Sequence, residues 1–263
     1  MTDAVSEPTW KFRLTIAYDG TNYAGWQVQK IGLGVQQRIE EAFQKIFPSV
    51  RRIHGSSRTD TGVHALGMVA HVEILRREFK MTAPKLALAI NAFLPPDIRI
   101  LKAVRCRDDF HARFDAKGKQ YRYQVWNARA MNPLLNHRAW HVPRRLDVPA
   151  MRAAATCFVG RQDFKTLAAN RDYEMESTVR TLTRVDVKRS GELLTFIIEG
   201  DGFLYKMCRA IVGTLVEVGL GKLSPADVPR MLAEKDRRAG GVNAPAHGLV
   251  LWKVFYDRPG RFR

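Results

Sequence analysis

Three things are scarce in this sequence, and each scarcity excludes something. Cysteine is the first. Cys106, Cys157 and Cys208 are the only three in 263 residues, and no two of them form a C-x-x-C pair. An odd, scattered count argues against a disulfide framework or a zinc site and fits a reducing cytosol. Long apolar runs are the second. None approaches the ~20 residues that a membrane-spanning helix needs, and the opening Met1-Thr2-Asp3-Ala4-Val5-Ser6-Glu7-Pro8 has neither the basic start nor the apolar centre of a secretory signal. Acidic residues are the third: 26 Asp and Glu face 43 Lys and Arg, a net charge of +17. Such an excess points to a polyanionic partner, nucleic acid ahead of an anionic membrane surface. Also missing are a Walker loop, a G-x-G-x-x-G and any His/Cys cluster at metal-ligand spacing, so no cofactor and no metal are expected.

What remains is ordinary globular material. Hydrophobic residues make up 46% and charged residues 26%, and the length suits one large domain or two modest ones with a self-sufficient core. Trp10, Phe12, Leu14, Ile16 and Tyr18 alternate with polar residues and predict a strand with one buried face. Asp19 to Gln27 is a turn-rich loop whose two aromatics either stack on bases or pack. Val35, Ile39, Phe43, Ile46 and Phe47 recur at helical spacing and predict a helix over 35–47. A strand over 68–74 follows. Thr82-Ala83-Pro84 opens a helix running to about Phe93, with Thr at the N-cap and Pro in the first turn. Another strand covers 98–106. Asp147-Val148-Pro149 begins a third helix that ends at Gly160, and 161–178 reads as an irregular loop. Strands over 179–188 and 192–199 join at Ser190-Gly191. Met207, Ile211, Leu215 and Val218 share one helical stripe that Gly219 stops. Ser224-Pro225-Ala226-Asp227 starts a short helix, Leu249 to Tyr256 is a last strand, and Arg258 to Arg263 form a basic tail. Hairpins mixed with inserted helices, without regular βαβ alternation, predict an α+β fold with a largely antiparallel sheet. A break near 112–118 divides it into 1–112 and 113–263.

Two stretches carry chemistry. Between residues 105 and 145 ten Arg and Lys stand against three Asp, interleaved with Phe110, Phe114, Tyr121, Tyr123, Trp126 and Trp140. Cations with aromatics suit a surface that grips phosphates and stacks bases, and a strand with a solvated basic face accounts for part of the same pattern. The other stretch is Gly55-Ser56-Ser57-Arg58-Thr59-Asp60-Thr61-Gly62-Val63-His64-Ala65. Glycines at both ends of a polar run suggest a loop with special backbone angles. In extended chain Arg58 and Asp60 point to one side and Thr59 to the other. A nearby guanidinium favours an ionised carboxylate, which serves as a base or a nucleophile; the plainer reading is a surface turn with a weak ion pair. Asp60 and His64 as a lone D-x-x-x-H lack the further ligands of a metal hydrolase.

Arg58-Thr59-Asp60-Thr61-Gly62-Val63-His64-Ala65 resembles the signature of the tRNA pseudouridine synthase A family. Further blocks similar to that family follow in order over residues 10–256: Y-D-G…Y-x-G-W-Q from Tyr18, F-H-A-R-F…K-Q-Y-R-Y from Phe110, the G-F-L-Y-K-M-C-R-A-I-V-G-T-L run from Gly202, and Gly248-Leu249-Val250-Leu251. The resemblance implies two ferredoxin-like halves sharing one sheet, with helices on one side and a basic cleft between the halves. It implies an isomerase that converts uridine to pseudouridine at positions 38–40 of the tRNA anticodon stem-loop, by flipping the base, in the cytoplasm, as a homodimer and without membrane contact. Asp60 would be catalytic, Arg58 would hold the flipped state, Tyr121 would lie against the target base, and Arg209 would pair with Asp60. The alternatives are a synthase for another RNA target and a catalytically silent tRNA-binding protein. Thr61 stands where relatives usually carry Ala, and Cys208 where they usually carry Val.

Overall fold

A computed structural model describes residues 7–169 and 177–257. The opening residues, part of the expected 161–178 loop and the basic tail lie outside that range. Among the described residues there are ten strands and five α-helices, in an α+β arrangement with mostly antiparallel pairing. The chain divides into two compact units, Met1–Ala116 and Lys117–Arg263.

The first unit runs β1 (Thr9–Tyr18), α1 (Val35–Gln44), β2 (His54–Gly55), β3 (His64–Leu75), α2 (Ala83–Asn91) and β4 (Ile98–Arg105). Strand β1 lies between β4 and β3, antiparallel to both, and β2 pairs with the far part of β3. The alternation in β1 works as its sequence demands: Phe12, Leu14, Ile16 and Tyr18 are buried. Trp10, on the same stripe, is only half-buried, because its indole sits against the guanidinium groups of Arg76 and Arg105. Helix α1 stops at Gln44, three residues before the expected end, yet Phe47 is fully buried from the turn that follows. Thr82 has the extended backbone of an N-cap, but its side chain makes no capping hydrogen bond. Pro84 in the first turn has no N–H and needs no such acceptor, which leaves the helix start intact.

The second unit runs β5 (Gly118–Trp126), β6 (Trp140–His141), α3 (Val148–Thr156), β7 (Gly160–Asp163), β8 (Val179–Ser190), β9 (Leu193–Gly200), α4 (Met207–Gly219), α5 (Asp227–Ala233) and β10 (Leu249–Phe255). Its antiparallel order is β10-β5-β9-β8-β7, and β6 adds to β5 in parallel. Helix α3 packs on β8 and α4. Four expectations need correction here. Helix α3 ends at Thr156, and Gly160 is instead the first residue of β7, with φ of +109°. The stretch after it is therefore not wholly irregular; it holds β7 and a 3-10 turn at Lys165–Leu167. Gly219 is the last residue of α4 rather than its stop. The stop is Gly221, at φ +72°, whose N–H donates to Val218 while Lys222 N–H donates to Glu217. Those two bonds close the helix in the left-handed manner that glycine permits. Gly219 is small for a different reason: a Cβ there would lie 2.6 Å from Met151 Sδ on α3. Helix α5 likewise begins at Asp227, whose carboxylate accepts the Ser224 backbone N–H and hydroxyl at 2.7 Å each.

Omitting β7, β6 and α5, both units follow one plan: strand, helix, two strands, helix, strand. The orders β4-β1-β3-β2 and β10-β5-β9-β8 are then equivalent. No helix among the described residues is long and apolar enough to cross a membrane. Burial on β1 gives a direct check. Leu14→Ala should lower unfolding free energy in urea by about 2–5 kcal/mol. Leu101→Ala, on the exposed side of β4, should stay within about 0.5 kcal/mol. Equal effects would contradict the assigned faces.

Candidate active site

The polar stretch from Ser56 to Val63 connects β2 to β3, and its strand begins earlier than expected, at His64 itself. Its backbone is fixed from beneath. Ser56 N–H donates to Val69 at 2.8 Å, Trp26 N–H to the Thr59 carbonyl at 3.1 Å, Gly62 N–H to Tyr23 at 3.3 Å, and Val63 N–H closes a turn on Asp60 at 3.1 Å. The side chains alternate as the extended reading requires. Thr59 is buried, its hydroxyl 2.7 Å from that of Tyr18, while Arg58 is exposed and Asp60 half-buried. Thr61 is exposed in the turn, so a hydroxyl fits there as readily as a methyl.

The loop from Asp19 to Gly34 is the other half of this construction. Its two aromatics pack rather than wait for bases: Tyr23 and Trp26 are buried, and Trp26 lies 6.0 Å from the Tyr18 ring. Tyr23 donates its hydroxyl to Asp97 at 2.7 Å; burial, then Asp97, push its pKa well above the ordinary phenol range. Gly25 is at φ +98°, and a Cβ there would lie 2.5 Å from the Thr59 carbonyl oxygen. At Gly20 a Cβ would collide with the Val63 carbonyl. Only glycine lets the two backbones touch at these points. The carbonyls of Gly25 and Trp26 also accept the first two N–H groups of α1, at 3.0 and 2.9 Å. These are donors that a helix end cannot satisfy by itself, so helix, loop and motif form one hydrogen-bonded unit. His64 Nδ1 lies 3.0 Å from Gly20 N–H and 2.9 Å from the Asp19 carboxylate. It is therefore a strut of this loop.

The other two candidate residues, Tyr121 and Arg209, belong to the second unit. Period-2 geometry on β5 turns Tyr121, Tyr123 and Val125 inward together. Tyr121 meets Phe203 edge-on at 4.9 Å. Tyr123 donates its hydroxyl to Pro245 at 2.7 Å. Arg209, on α4, donates Nε to Ala244 at 2.7 Å and accepts the Ala244 N–H at 3.0 Å. Burial raises the Tyr123 pKa far above normal, and the charge of Arg209 works in the opposite direction. The 244–245 turn thus anchors both the arginine and the strand that carries Tyr121. Cys208 is buried beside Arg209 in α4, a place where its thiol behaves as a small apolar group. In the basic 105–145 region Phe110 is buried as well, while Phe114 stays exposed.

Sequence reasoning passed over the bracing residues. Tyr18, Gly20, Gly25 and Trp26 were visible as an aromatic–glycine pattern, but nothing local says that its target lies some forty residues on.

Frame and loop together define a cation-rich α+β protein that presents an arginine and a carboxylate on a rigid loop, the layout of an enzyme site rather than of a flexible surface turn. A family described as tRNA pseudouridine synthase matches residues 14–115 and 154–257, and the chain belongs to that family. Curated relatives named tRNA pseudouridine synthase A are similar over nearly their full lengths. The one from Geotalea uraniireducens is 45% identical over 94% of this chain and 99% of its own. The one from Acetivibrio thermocellus is 42% identical over 93% and 98%, and the one from Geobacillus kaustophilus 42% over 95% of each.

Tyr18→Phe should destabilise the protein by about 1–3 kcal/mol in urea, since it strips a buried hydroxyl of its partner. Adding Thr59→Val should recover part of that loss. A Tyr18→Phe variant as stable as the parent would show that this bond does not hold the loop.

Proposed function

We propose that this chain isomerises uridine to pseudouridine in tRNA, at positions 38–40 of the anticodon stem-loop. The observation that carries the reading is the braced loop: Arg58 and Asp60 share its outer side, while Thr59 is tied inward, in a chain of the tRNA pseudouridine synthase family. The reaction breaks the N1–C1′ bond, turns the uracil, and joins C5 to C1′; the C5 proton leaves to solvent and N1 gains one. A stacked base cannot turn, so it is flipped out at a cost of roughly a few kcal/mol, and Arg58 holds the vacated position. Asp60 starts the chemistry, either by adding covalently to the nucleotide or by taking a ribose proton. A nucleotide–enzyme adduct trapped on denaturation separates the two. Tyr121 lies against the base. Arg209 pairs with Asp60 and keeps it charged, as an adjacent guanidinium does.

The shared plan of the two units supports reading each as a ferredoxin-like half, since strand–helix–strand–strand–helix–strand is that motif's order. In this proposal the halves share one sheet with helices on one side, a basic cleft takes the stem-loop, and the protein works as a cytoplasmic homodimer. The excess of 43 Lys and Arg over 26 Asp and Glu supplies phosphate contacts.

Incubation with unmodified tRNA transcripts, followed by position mapping, should give pseudouridine at 38–40. Product elsewhere would assign another RNA target, and none at all a silent binder. Asp60→Ala should keep tRNA affinity within about tenfold, because phosphate contacts supply most of the binding. Affinity of both forms should fall steeply with added salt; a flat response would contradict a basic binding surface.

A further inference from the structure

Three histidines remote in sequence meet in the first unit. His54 on β2 pairs across strands with His71 on β3, their rings stacked at 4.9 Å and 14°. His111, in the turn after β4, stands edge-on to His71 at 4.7 Å. One ring nitrogen from each lies within 4.8 Å of the other two. Access is graded: His71 is 3% exposed, His111 half-buried and His54 exposed. The cluster therefore opens to solvent on the His54 side. Burial, then His54 and His111, push the His71 pKa down to about 3. Burial, then Arg52 and His111, lower that of His54. Neutral imidazole is the form that binds metal.

We propose that His54, His71 and His111 form a binding site for a single divalent transition-metal cation such as zinc. Three imidazoles with an open fourth position are a known donor set for it, and imidazole suits zinc, copper and nickel alike. Bonds of about 2.0–2.1 Å to nitrogen require the three atoms to close by roughly 1–1.5 Å. His71 is fixed on β3, so the movement falls to His54, on an exposed two-residue strand, and to His111, in a turn. The rings must also turn. Nδ1 of His71 accepts Ala112 N–H at 3.1 Å, and Nδ1 of His111 faces the N–H groups of Arg113 and Phe114 at 3.2 and 3.3 Å. A ligating ring instead needs its second nitrogen to donate, so capture of a cation exchanges these three long contacts for metal bonds. Among nearby charges, Arg52 and Lys11 oppose a cation, while Glu73, Glu40 and Asp115 favour it; Lys11 is already paired with Glu73 at 3.0 Å. A bound cation would tie β2, which leads directly into the Ser56–Val63 loop, to the 110–115 turn. It acts as a brace and takes no part in the reaction.

The test is calorimetric titration of zinc into the chelator-stripped full chain, with cobalt(II) absorption reporting coordination. One cation per chain should bind and raise the melting temperature. His54→Ala, at an exposed position, should weaken binding by about tenfold or more and abolish the rise in melting temperature. His111→Gln should do the same. His137→Ala, in the other unit, should change neither. No binding, binding unaltered by His54→Ala, or binding lost in His137→Ala would overturn the proposal.

Discussion

The hydrogen bond from Trp26 N–H to the Thr59 carbonyl is the contact on which the rest of the site depends. It lies at the junction of three elements. Below it, the carbonyls of Gly25 and Trp26 cap α1; above it, Thr59 is fixed between Arg58 and Asp60. Each such bond contributes only about 1 kcal/mol net. Several of them converge on eight residues, and Gly20 and Gly25 leave no gap between the backbones. The result is a loop with the rigidity of an element, and catalytic groups lose much of their effect when their support is loose by even an ångström.

The two units solve the same problem with different parts. In the first, a glycine-rich loop braces another loop. In the second, the 244–245 turn ties together Arg209 and Tyr123, and with Tyr123 the strand that bears Tyr121. Both rely on backbone carbonyls as acceptors for side chains or N–H groups, which leaves few degrees of freedom to the residues proposed to act. Both also rest on the same order of strands and helices, although no repeat is visible in the sequence. Topology and packing faces can repeat while residue identities diverge, because what they require is apolar spacing rather than particular side chains.

The fold was legible wherever periodicity was strong. The β1 stripe, the β8–β9 hairpin and the apolar stripe of α4 all follow from spacing and turn residues. The misreadings were at ends and at short elements. Gly160 and Gly219 look like helix stops in sequence, but one opens a strand and the other clears space for Met151, while Gly221 carries the left-handed turn. A glycine signals permission, not purpose, and only the fold decides which it is. For the site, Arg58 and Asp60 were readable from their own loop. Its support was not, since Tyr18 and Thr59 are 41 residues apart. The histidine cluster escaped for the same reason: strand pairing, not local spacing, brings His54 to His71.

At the centre of the account stands the charge on one carboxylate held by a rigid loop. The most direct test replaces that charge and keeps the shape. Asp60→Asn and the parent protein are compared for tritium release from tRNA carrying uridine labelled at C5, with melting temperatures measured alongside. The account predicts release by the parent and none above background by Asp60→Asn, with both equally stable. Release at the parent's rate from Asp60→Asn would contradict it.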